Sequence, residues 1–404
     1  MPISSMKRFL IKQDQVLKDG VLGLLCNQTS YDFESGRYLF EILADRKVLR
    51  KVFIPEHGLF SELQDQLPLN STDIYSAMAE DVEFVSLYQS SEDSLKASVE
   101  NLKDLDALII DIQDTGCRYF TYLTTIYNIF ETIYQNDLSI SVYVLDKPNP
   151  AGRQVEGTLI TKEYSSFIGI QGLPHRQGLT IGEMCLFFKN KIGASFELEI
   201  IPLPNFSTSF TIQPSPNIST ETTSLMYSGQ CLFEGTVLSE GRGTTRPFEI
   251  IGAPFIQWRD LLKIRSRINS FIDHYSYLNL GVKIRPLCFI PAFHKFAEEN
   301  CRGFQFHLTG EKFHSLLYSM ILIRMINEFY TGTNTSIWLE GKYESGSEKT
   351  ALEIIVGDSI LLDFVNCKES YENVISVLEA GEESWIKLAD KFRIYDAPLY
   401  RLKF

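Results

Sequence analysis

Short apolar runs alternate with helical patterns through the first half of the chain. The runs predicted as strands lie at residues 20–28, 51–54, 82–88, 107–114, 141–146 and 196–203. Helical spacing of apolar side chains is found at 37–50, 118–135 and 180–190. Almost continuously apolar strands separated by helices are typical of a parallel sheet covered on both faces. The first half is therefore predicted to be a Rossmann-like α/β domain.

The pattern changes after residue 203. Residues 204–222 are rich in Pro, Ser, Thr and Asn and predict a loop. Beyond it, apolar stretches at 280–290, 303–308 and 352–364 alternate with helical patterns near 258–275, 311–330 and 370–392. A chain of 404 residues is too long for one ordinary core. We predict a Rossmann-like catalytic domain over 1–222 and a smaller α/β domain over 223–404 that completes a cleft.

Charge and hydropathy narrow the classes of partner. The net charge of −13 disfavours nucleic acid, because an acidic surface repels phosphate backbones. No window reaches 18 uninterrupted apolar residues, so no membrane span is predicted. The first twenty residues lack the apolar core of a secretory signal. A cytoplasmic location is expected, or a periplasmic or secreted one if a leader was removed; the oligomeric state is left open.

Cysteines and histidines give no sign of a metal or a disulfide framework. The seven cysteines are scattered without a C-x-x-C pair, which favours buried reduced thiols. His175, His294 and His307 have no partner at metal-ligand spacing. No G-x-G-x-x-G follows the first strand, so a dinucleotide is not supported. We predict neither a metal nor an organic cofactor.

Polar residues follow several of the predicted strands. In an open parallel sheet ligands bind beyond the carboxyl ends of the strands, so these residues are expected to converge on one rim. They are Asn27, Gln28, Glu56, His57, Asp111, Gln113, Asp114, Asp146, Lys147 and Asn149. Several carboxylates on one rim favour general acid–base chemistry. The alternative for each is a structural one, a helix cap or an ordered turn.

A second dense segment covers residues 227–254. It contains Gly229, Gly235, Gly241, Gly243 and Gly252 together with Glu234, Glu240, Arg242, Arg246 and Glu249. We interpret it as a substrate-binding loop, as an ion-pair network between the domains, or as both. The aromatic residues Tyr119, Phe120 and Tyr122 could stack on a sugar ring or belong to the core.

Six motifs in the same order resemble one family. They are PEHGLF (55–60), DIQDTGCRYFTYLTT (111–125), VLDKPNPAGR (144–153), SFIGIQGLPHRQGLTIGE (166–183), PSPN (214–217) and FEGTVLSEGRGTTRPFEIIGAP (233–254). The chain resembles the exo-β-N-acetylmuramidases, bacterial peptidoglycan hydrolases formerly classed as a domain of unknown function. The resemblance implies a Rossmann-like domain, a smaller α/β domain and an active site between them. It also implies release of N-acetylmuramic acid from the non-reducing ends of peptidoglycan fragments.

The resemblance also implies roles for single residues. Glu56 is the expected catalytic acid. The other motif positions expected along the cleft are His57, Asp111, Gln113, Asp114, Arg118, Tyr122, Asn149, Glu234, Glu240, Arg242 and Thr244. Asn27, at the end of the first strand, is added as a substrate-binding candidate. The chain departs from the family pattern at Lys147 and Gln177 and in the stretch after PEHG, which bears on sugar specificity.

A mechanism can be outlined on these residues. Glu56 would protonate the leaving oxygen, with His57 and the low-dielectric rim tuning its pKa. Asp111 or Asp114 would take the second role. A carboxyl separation of about 5–5.5 Å would mean a nucleophile and about 6.5–9.5 Å an activated water. Attack by the acetamido oxygen of the substrate is a third possibility.

Substrate recognition leaves further alternatives. The lactyl carboxylate of muramic acid is expected to bind an arginine fork, that of Arg118 or of Arg242. The altered residues Lys147 and Gln177 leave open a non-catalytic protein that binds cell-wall fragments. A hydrolase or transferase acting on another anionic substrate, such as a phosphorylated sugar, is the third hypothesis.

Overall fold

The first half of the chain contains a parallel sheet, as its apolar runs predict. The structure is a computed structural model that describes residues 4–17, 19–64, 67–89, 96–275, 281–310, 313–342 and 348–404. The strands are β1 (Leu22–Cys26), β2 (Tyr31–Asp32), β3 (Arg37–Tyr38), β4 (Leu49–Ile54), β5 (Glu83–Ser86), β6 (Ala107–Asp111), β7 (Ser141–Leu145) and β8 (Leu198–Ile201). Six of them pair in the order β5-β4-β1-β6-β7-β8, and β2 with β3 forms a separate antiparallel ribbon. The chain therefore extends outward from β1 in both directions, the Rossmann order.

Helices cover both faces of this sheet. They are α1 (Ser5–Val16), α2 (Leu39–Asp45), α3 (Asp73–Ser76), α4 (Val99–Leu102), α5 (Tyr122–Gln135) and α6 (Ile181–Ile192). Because side chains alternate along a strand, Leu108 and Ile110 pack with α5 and α6, while Ala107 and Ile109 pack with α1 and α2. The helix predicted over 37–50 is shorter, since β3 precedes it and β4 begins at Leu49.

The second half combines helices with a small antiparallel sheet. The helices are α7 (Glu221–Gln230), α8 (Trp258–His274), α9 (Ser315–Tyr330), α10 (Ala351–Val356), α11 (Ser359–Val365) and α12 (Tyr371–Ala389). The strands β9 (Ile250–Ala253), β10 (Val282–Phe289) and β11 (Cys301–Leu308) pair in the order β10-β11-β9. The α/β class predicted for both halves is confirmed. Residues 280, 311 and 312, at the ends of predicted elements, lie outside the described residues.

The apolar stretch 352–364 is helical rather than extended. Gly357, with φ of 59°, ends α10 in the left-handed conformation, and the Asp358 side chain then caps α11. A short apolar run does not distinguish a buried strand from a buried helix, and only the Gly-Asp pair marks the break.

The two halves share one apolar core. Trp385 of α12 packs against Phe187 of α6, with ring centroids 5.0 Å apart, and its indole N–H donates to the Gln177 carbonyl. The Arg118 guanidinium donates to carbonyls of Ile355 and Val356 at the end of α10. The boundary at residue 222 stays a prediction.

Two further features bear on the sequence predictions. All seven cysteines are free thiols, and five of them are buried. Within the described ranges, every helix is too short or too polar to cross a membrane.

Candidate active site

A pocket lies where the carboxyl edge of the sheet meets the segment after α7. It holds about 550 Å³ of empty space, counting its open mouth. Both halves of the chain line it. The lining residues are Glu56, His57, Tyr119, Phe120, Thr121, Ile168, Ser215, Asn217, Ile218, Tyr227, Cys231, Glu234, Arg242 and Phe248.

Glu56 is brought to the pocket by a tight turn after β4. Pro55 follows the last residue of the strand, and His57 and Gly58 both adopt positive φ, 75° and 85°. A positive φ is strained for a residue with a side chain, so the turn at His57 is a costly local feature. Glu56 is only 7% exposed, and its carboxylate accepts a hydrogen bond from the Thr121 hydroxyl.

His57 has a defined tautomer in this turn. Its Nδ1 lies 3.2 Å from the carbonyl oxygen of Leu63. A carbonyl only accepts hydrogen bonds, so Nδ1 carries the proton and the neutral ring keeps its lone pair on Nε2. The ring centroid lies 6.2 Å from that of Phe120. His57 lines the same pocket as Glu56, and Nε2 is the nitrogen of its ring that can accept a proton.

Aromatic rings form one wall of the pocket. Phe120 packs edge-on against Tyr227 at 6.3 Å, and Tyr227 packs on Phe248 at 4.8 Å. Tyr119 joins them and donates to the Ser228 carbonyl. Tyr119 and Phe120 are thus buried and also line the pocket, which leaves both alternatives raised for them in place. Such a wall suits the apolar face of a sugar ring.

Tyr122 lies behind this wall. It is fully buried, and its hydroxyl lies 3.3 Å from the Glu56 carbonyl and 3.2 Å from the Pro214 carbonyl. The Asn27 amide also donates to the Pro214 carbonyl, at 3.4 Å. Tyr122 therefore supports the backbone at Glu56 and at Pro214, Asn27 supports it at Pro214, and both residues lie outside the pocket lining.

Arg242 is the cation of the pocket. Its Nη2 donates to Glu234 at 2.7 Å and its Nε to Glu240 at 3.0 Å. The guanidinium lies over the Phe248 ring, 5.0 Å from the centroid. The glycine-rich segment is therefore a pocket wall and an ion-pair network at once. Thr244, by contrast, closes a turn through a 2.6 Å bond to the Gly241 carbonyl.

Glu240 lies beneath Arg242 and is 1% exposed. Burial alone would raise the pKa of its carboxyl, but Lys295, His294 and Arg242 hold that pKa below its usual range. Glu240 is therefore an ionised, enclosed carboxylate that fixes Arg242 and lies outside the pocket lining.

Asp111, predicted as catalytic, is sealed inside the protein. It is 0% exposed, and its two oxygens pair with Lys147 at 2.7 Å and with the Ser30 hydroxyl at 2.6 Å. The residue does not line the pocket. Lys147, which follows the next strand, also donates to the Thr29 carbonyl. This ion pair joins two strand ends and leaves no room for a ligand between them.

Asp114, Gln113 and Asn149 order the same rim. Asp114 accepts from the Gly116 amide at 2.7 Å, an Asx turn, and burial raises its pKa to about 7. Gln113 donates to the Pro148 carbonyl, and Asn149 donates to the Leu179 carbonyl. None of the three lines the pocket. These contacts fit the alternative that strand-end residues order a turn or the local backbone.

Arg118 is enclosed by the main chain. It is 1% exposed and donates to carbonyls of residues 158, 173, 355 and 356. Burial and this guanidinium hold the pKa of the neighbouring His175 well below its usual range. The arginine joins the two halves and has no access to the pocket.

Sequence reasoning missed several pocket residues. Thr121, Ser215, Asn217, Tyr227 and Phe248 line the pocket but were not proposed as site residues. The PSPN motif contains Ser215 and Asn217, and its small polar residues in a loop were the available signal. No group of three His, Cys, Asp or Glu side chains in the described part of the chain could hold a metal ion.

Comparison with known proteins agrees with this architecture. Residues 22–222 match the family model described as exo-beta-N-acetylmuramidase NamZ, N-terminal, and residues 225–395 match its C-terminal counterpart. A protein of Bacillus subtilis (strain 168), described as peptidoglycan beta-N-acetylmuramidase NamZ, is 31% identical over 370 residues. That alignment covers 86% of this chain and 80% of the relative.

Two crystal structures of DUF1343 family proteins from Bacteroides fragilis share the fold. Their TM-scores are 0.79 and 0.69 at 22% and 21% identity, and each comparison covers 97% of this chain and 98% of the other. The resemblance noted in the motifs is confirmed by the family models, and the chain belongs to the NamZ exo-β-N-acetylmuramidase family.

Proposed function

We propose that this protein is a glycoside hydrolase that releases N-acetylmuramic acid from the non-reducing ends of peptidoglycan fragments. Its family and the activity named for its Bacillus subtilis relative support this proposal. The observation that carries it is the meeting of Glu56 and Arg242, from separate halves of the chain, in one pocket with an aromatic wall. Hydrolysis of an anionic amino sugar requires an acid for the leaving oxygen, a cation for the sugar's carboxylate and a surface on which the ring can stack.

Glu56 is the proton donor in this proposal. It lies in the pocket, is nearly enclosed, and is held by the Thr121 hydroxyl. A general acid must reach the leaving oxygen and keep a fixed orientation, and both conditions favour Glu56 over the sealed Asp111. His57, with its acceptor nitrogen, is the adjacent group that can take up or return a proton.

Arg242 is the partner proposed for the lactyl carboxylate. It lines the pocket, whereas the alternative, Arg118, is enclosed by carbonyls. A guanidinium recognises a carboxylate through paired hydrogen bonds between opposite charges, and an uncharged amino sugar offers no anionic partner at that position.

Glu234 is proposed for the second catalytic role. It is the other carboxylate of the pocket lining, and its Oε1 accepts from Arg242 at 2.7 Å. The sequence suggested Asp111 or Asp114 instead, but those side chains lie outside the lining. Glu234 could act on water or orient the acetamido group of the substrate.

The alternative of a binding protein without chemistry loses its motivation. It rested on Lys147 and Gln177, and neither residue lines the pocket. Lys147 pairs with Asp111, and the Gln177 side chain accepts from the Leu179 amide. The hypothesis of a hydrolase for another anionic sugar requires the same pocket chemistry, and an activity assay distinguishes it from a muramidase.

The experiment is hydrolysis of a panel of chromogenic glycosides. Wild-type protein is expected to hydrolyse the N-acetylmuramide faster than the N-acetylglucosaminide or a sugar phosphate, and Glu56→Gln is expected to lower turnover by about 10²–10⁴-fold. Glu249→Gln is the matched control, because Glu249 is a buried carboxylate that also accepts from a threonine hydroxyl. Turnover by Glu56→Gln at near wild-type rates would overturn the assignment.

A further inference from the structure

A second cation lies behind the pocket. Lys295, in the loop between β10 and β11, donates to Glu240 at 3.1 Å and is 12% exposed. Its ammonium also donates to the backbone carbonyls of Phe233, Glu234 and Leu238. Lys295 thus contacts the segment that carries Glu234 and leads to Arg242. The sequence around Lys295 contains no motif that marks it as part of a site.

The loop that carries Lys295 has an unusual backbone. His294, Phe296 and Glu298 all adopt positive φ, 66°, 56° and 65°. Such conformations are rare for residues with side chains and persist only where the surroundings impose them. They aim both Lys295 and His294 at Glu240, whose Oε1 lies 3.4 Å from His294 Nδ1.

This loop is also packed directly on the segment that carries Arg242. A Cβ at Gly243 would lie 2.5 Å from the Ala292 nitrogen and 2.8 Å from that of Phe293. Backbone therefore touches backbone, which only glycine permits. Any shift of the Lys295 loop would displace the turn next to Arg242.

The charges explain why a second cation is needed. Arg242 contacts two carboxylates, Glu234 and Glu240, so the single positive charge of Arg242 is exceeded by the negative charge of its partners. Lys295 supplies the compensating charge, and it does so in an enclosed region where water screens little. Without Lys295 the pocket wall would carry a net negative charge and repel an anion.

We propose that Lys295 is a positioning residue that sets the preference of the pocket for a carboxylate-bearing amino sugar over an uncharged one. It acts through Glu240, holding that carboxylate against Arg242 and offsetting its charge. The inference rests on the proposed function, because it takes Arg242 as the group that meets the substrate carboxylate. It adds a determinant that never touches the sugar.

Measurements of sugar binding distinguish this role of Lys295 in selectivity from a purely structural role. Calorimetry would give the Kd of N-acetylmuramic acid and of N-acetylglucosamine, which differ only in the lactyl group. Lys295→Met is expected to weaken muramic acid binding about tenfold or more while leaving N-acetylglucosamine binding unchanged. Lys295→Arg should restore most of the difference. Lys51→Met is the matched control, since Lys51 is a buried lysine of β4 that pairs with Glu83 of β5 and does not line the pocket.

A charge-compensating variant covers the case in which Lys295→Met does not fold. Lys295→Met combined with Glu240→Gln removes both charges and keeps an acceptor for Arg242, and it should recover muramic acid binding. Equal weakening for both sugars in Lys295→Met, or failure of the double variant to recover binding, would overturn the inference. A wild type that binds muramic acid selectively but does not hydrolyse the muramide would refute the proposed function alone. Equal affinity of the wild type for both sugars would refute the inference alone.

Discussion

Two groups of carboxylates lie near the carboxyl edge of the sheet, and their surroundings differ. Asp111 and Asp146 are completely enclosed, the first on Lys147 and the second on hydroxyl and amide donors. Glu56 and Glu234 line the pocket. Asp111, Asp146 and Glu56 all lie at a strand end or just after it, yet only Glu56 lines the pocket.

The difference lies in the turn that follows each strand. Asp111 is the last residue of β6, so its direction is fixed by the pleat and it meets the lysine after β7. Glu56 lies beyond the end of β4, in a turn with two positive φ values. A strand-end position therefore locates the rim, and the turn decides which side chain can reach a ligand.

The largest effect expected from this comparison is on catalysis. Glu56→Gln should lower kcat by about 10²–10⁴-fold, the usual contribution of a general acid. Its free energy of unfolding should stay within about 1 kcal/mol of wild type, because glutamine can still accept from Thr121. Steady-state kinetics and urea unfolding measure the two quantities. A loss of stability that accounts for the whole loss of rate would contradict the assignment.

Substitution of Arg118 should lower stability and leave substrate selectivity unchanged. Arg118→Met removes the donor to four enclosed carbonyls and should cost about 3–5 kcal/mol of stability, as loss of a buried charged partner does. The folded fraction should keep its selectivity for the muramide. Urea unfolding and the ratio of kcat/KM for muramide and glucosaminide test this. A normally stable variant without selectivity would place Arg118 among the substrate contacts.

Asp114 should make stability depend on pH. Burial raises its pKa to about 7 in the folded protein, above the value of about 3.9 of an unfolded chain. The folded state then holds the proton more tightly, so this contribution is complete below about pH 4 and is lost as pH rises towards 7. It amounts to at most about 4 kcal/mol.

The measurement is urea unfolding at pH 4 and pH 8 for wild type and Asp114→Asn. The stability of wild type relative to the variant should decrease between the two pH values, because asparagine does not titrate. A constant difference would show that Asp114 has an ordinary pKa.

The smallest effect concerns the packing behind Arg242. Gly243 and Gly332 both have positive φ, 76° and 81°, but only Gly243 is crowded, since a Cβ at Gly332 would meet no atom within 4 Å. Gly332→Ala should cost about 1 kcal/mol from backbone strain alone. Gly243→Ala should cost about 1–3 kcal/mol more from overpacking and should weaken muramic acid binding. Equal losses of unfolding free energy for the two variants, measured by thermal unfolding, would mean that the segment at Gly243 can move away from the Lys295 loop.

Much of the fold could be predicted from periodicity, and less of the site. Continuous apolar runs predicted the parallel sheet because its strands are buried on both faces. The break at Gly357 was missed, since a short apolar run has no period of its own. Strand ends identified Glu56, but the pairing of Asp111 with Lys147 depends on strand neighbours that are far apart in sequence. Lys295 could not be found, because only the fold brings its loop to Glu240.

The proposed mechanism requires that one pocket holds the muramic acid between Glu56 and Arg242. A crystal structure of Glu56→Gln with an intact N-acetylmuramide tests it most directly. We expect the glycosidic oxygen to lie within hydrogen-bond distance of residue 56 and the lactyl carboxylate to bind Arg242. A sugar bound elsewhere, or one whose lactyl group points away from Arg242, would contradict it.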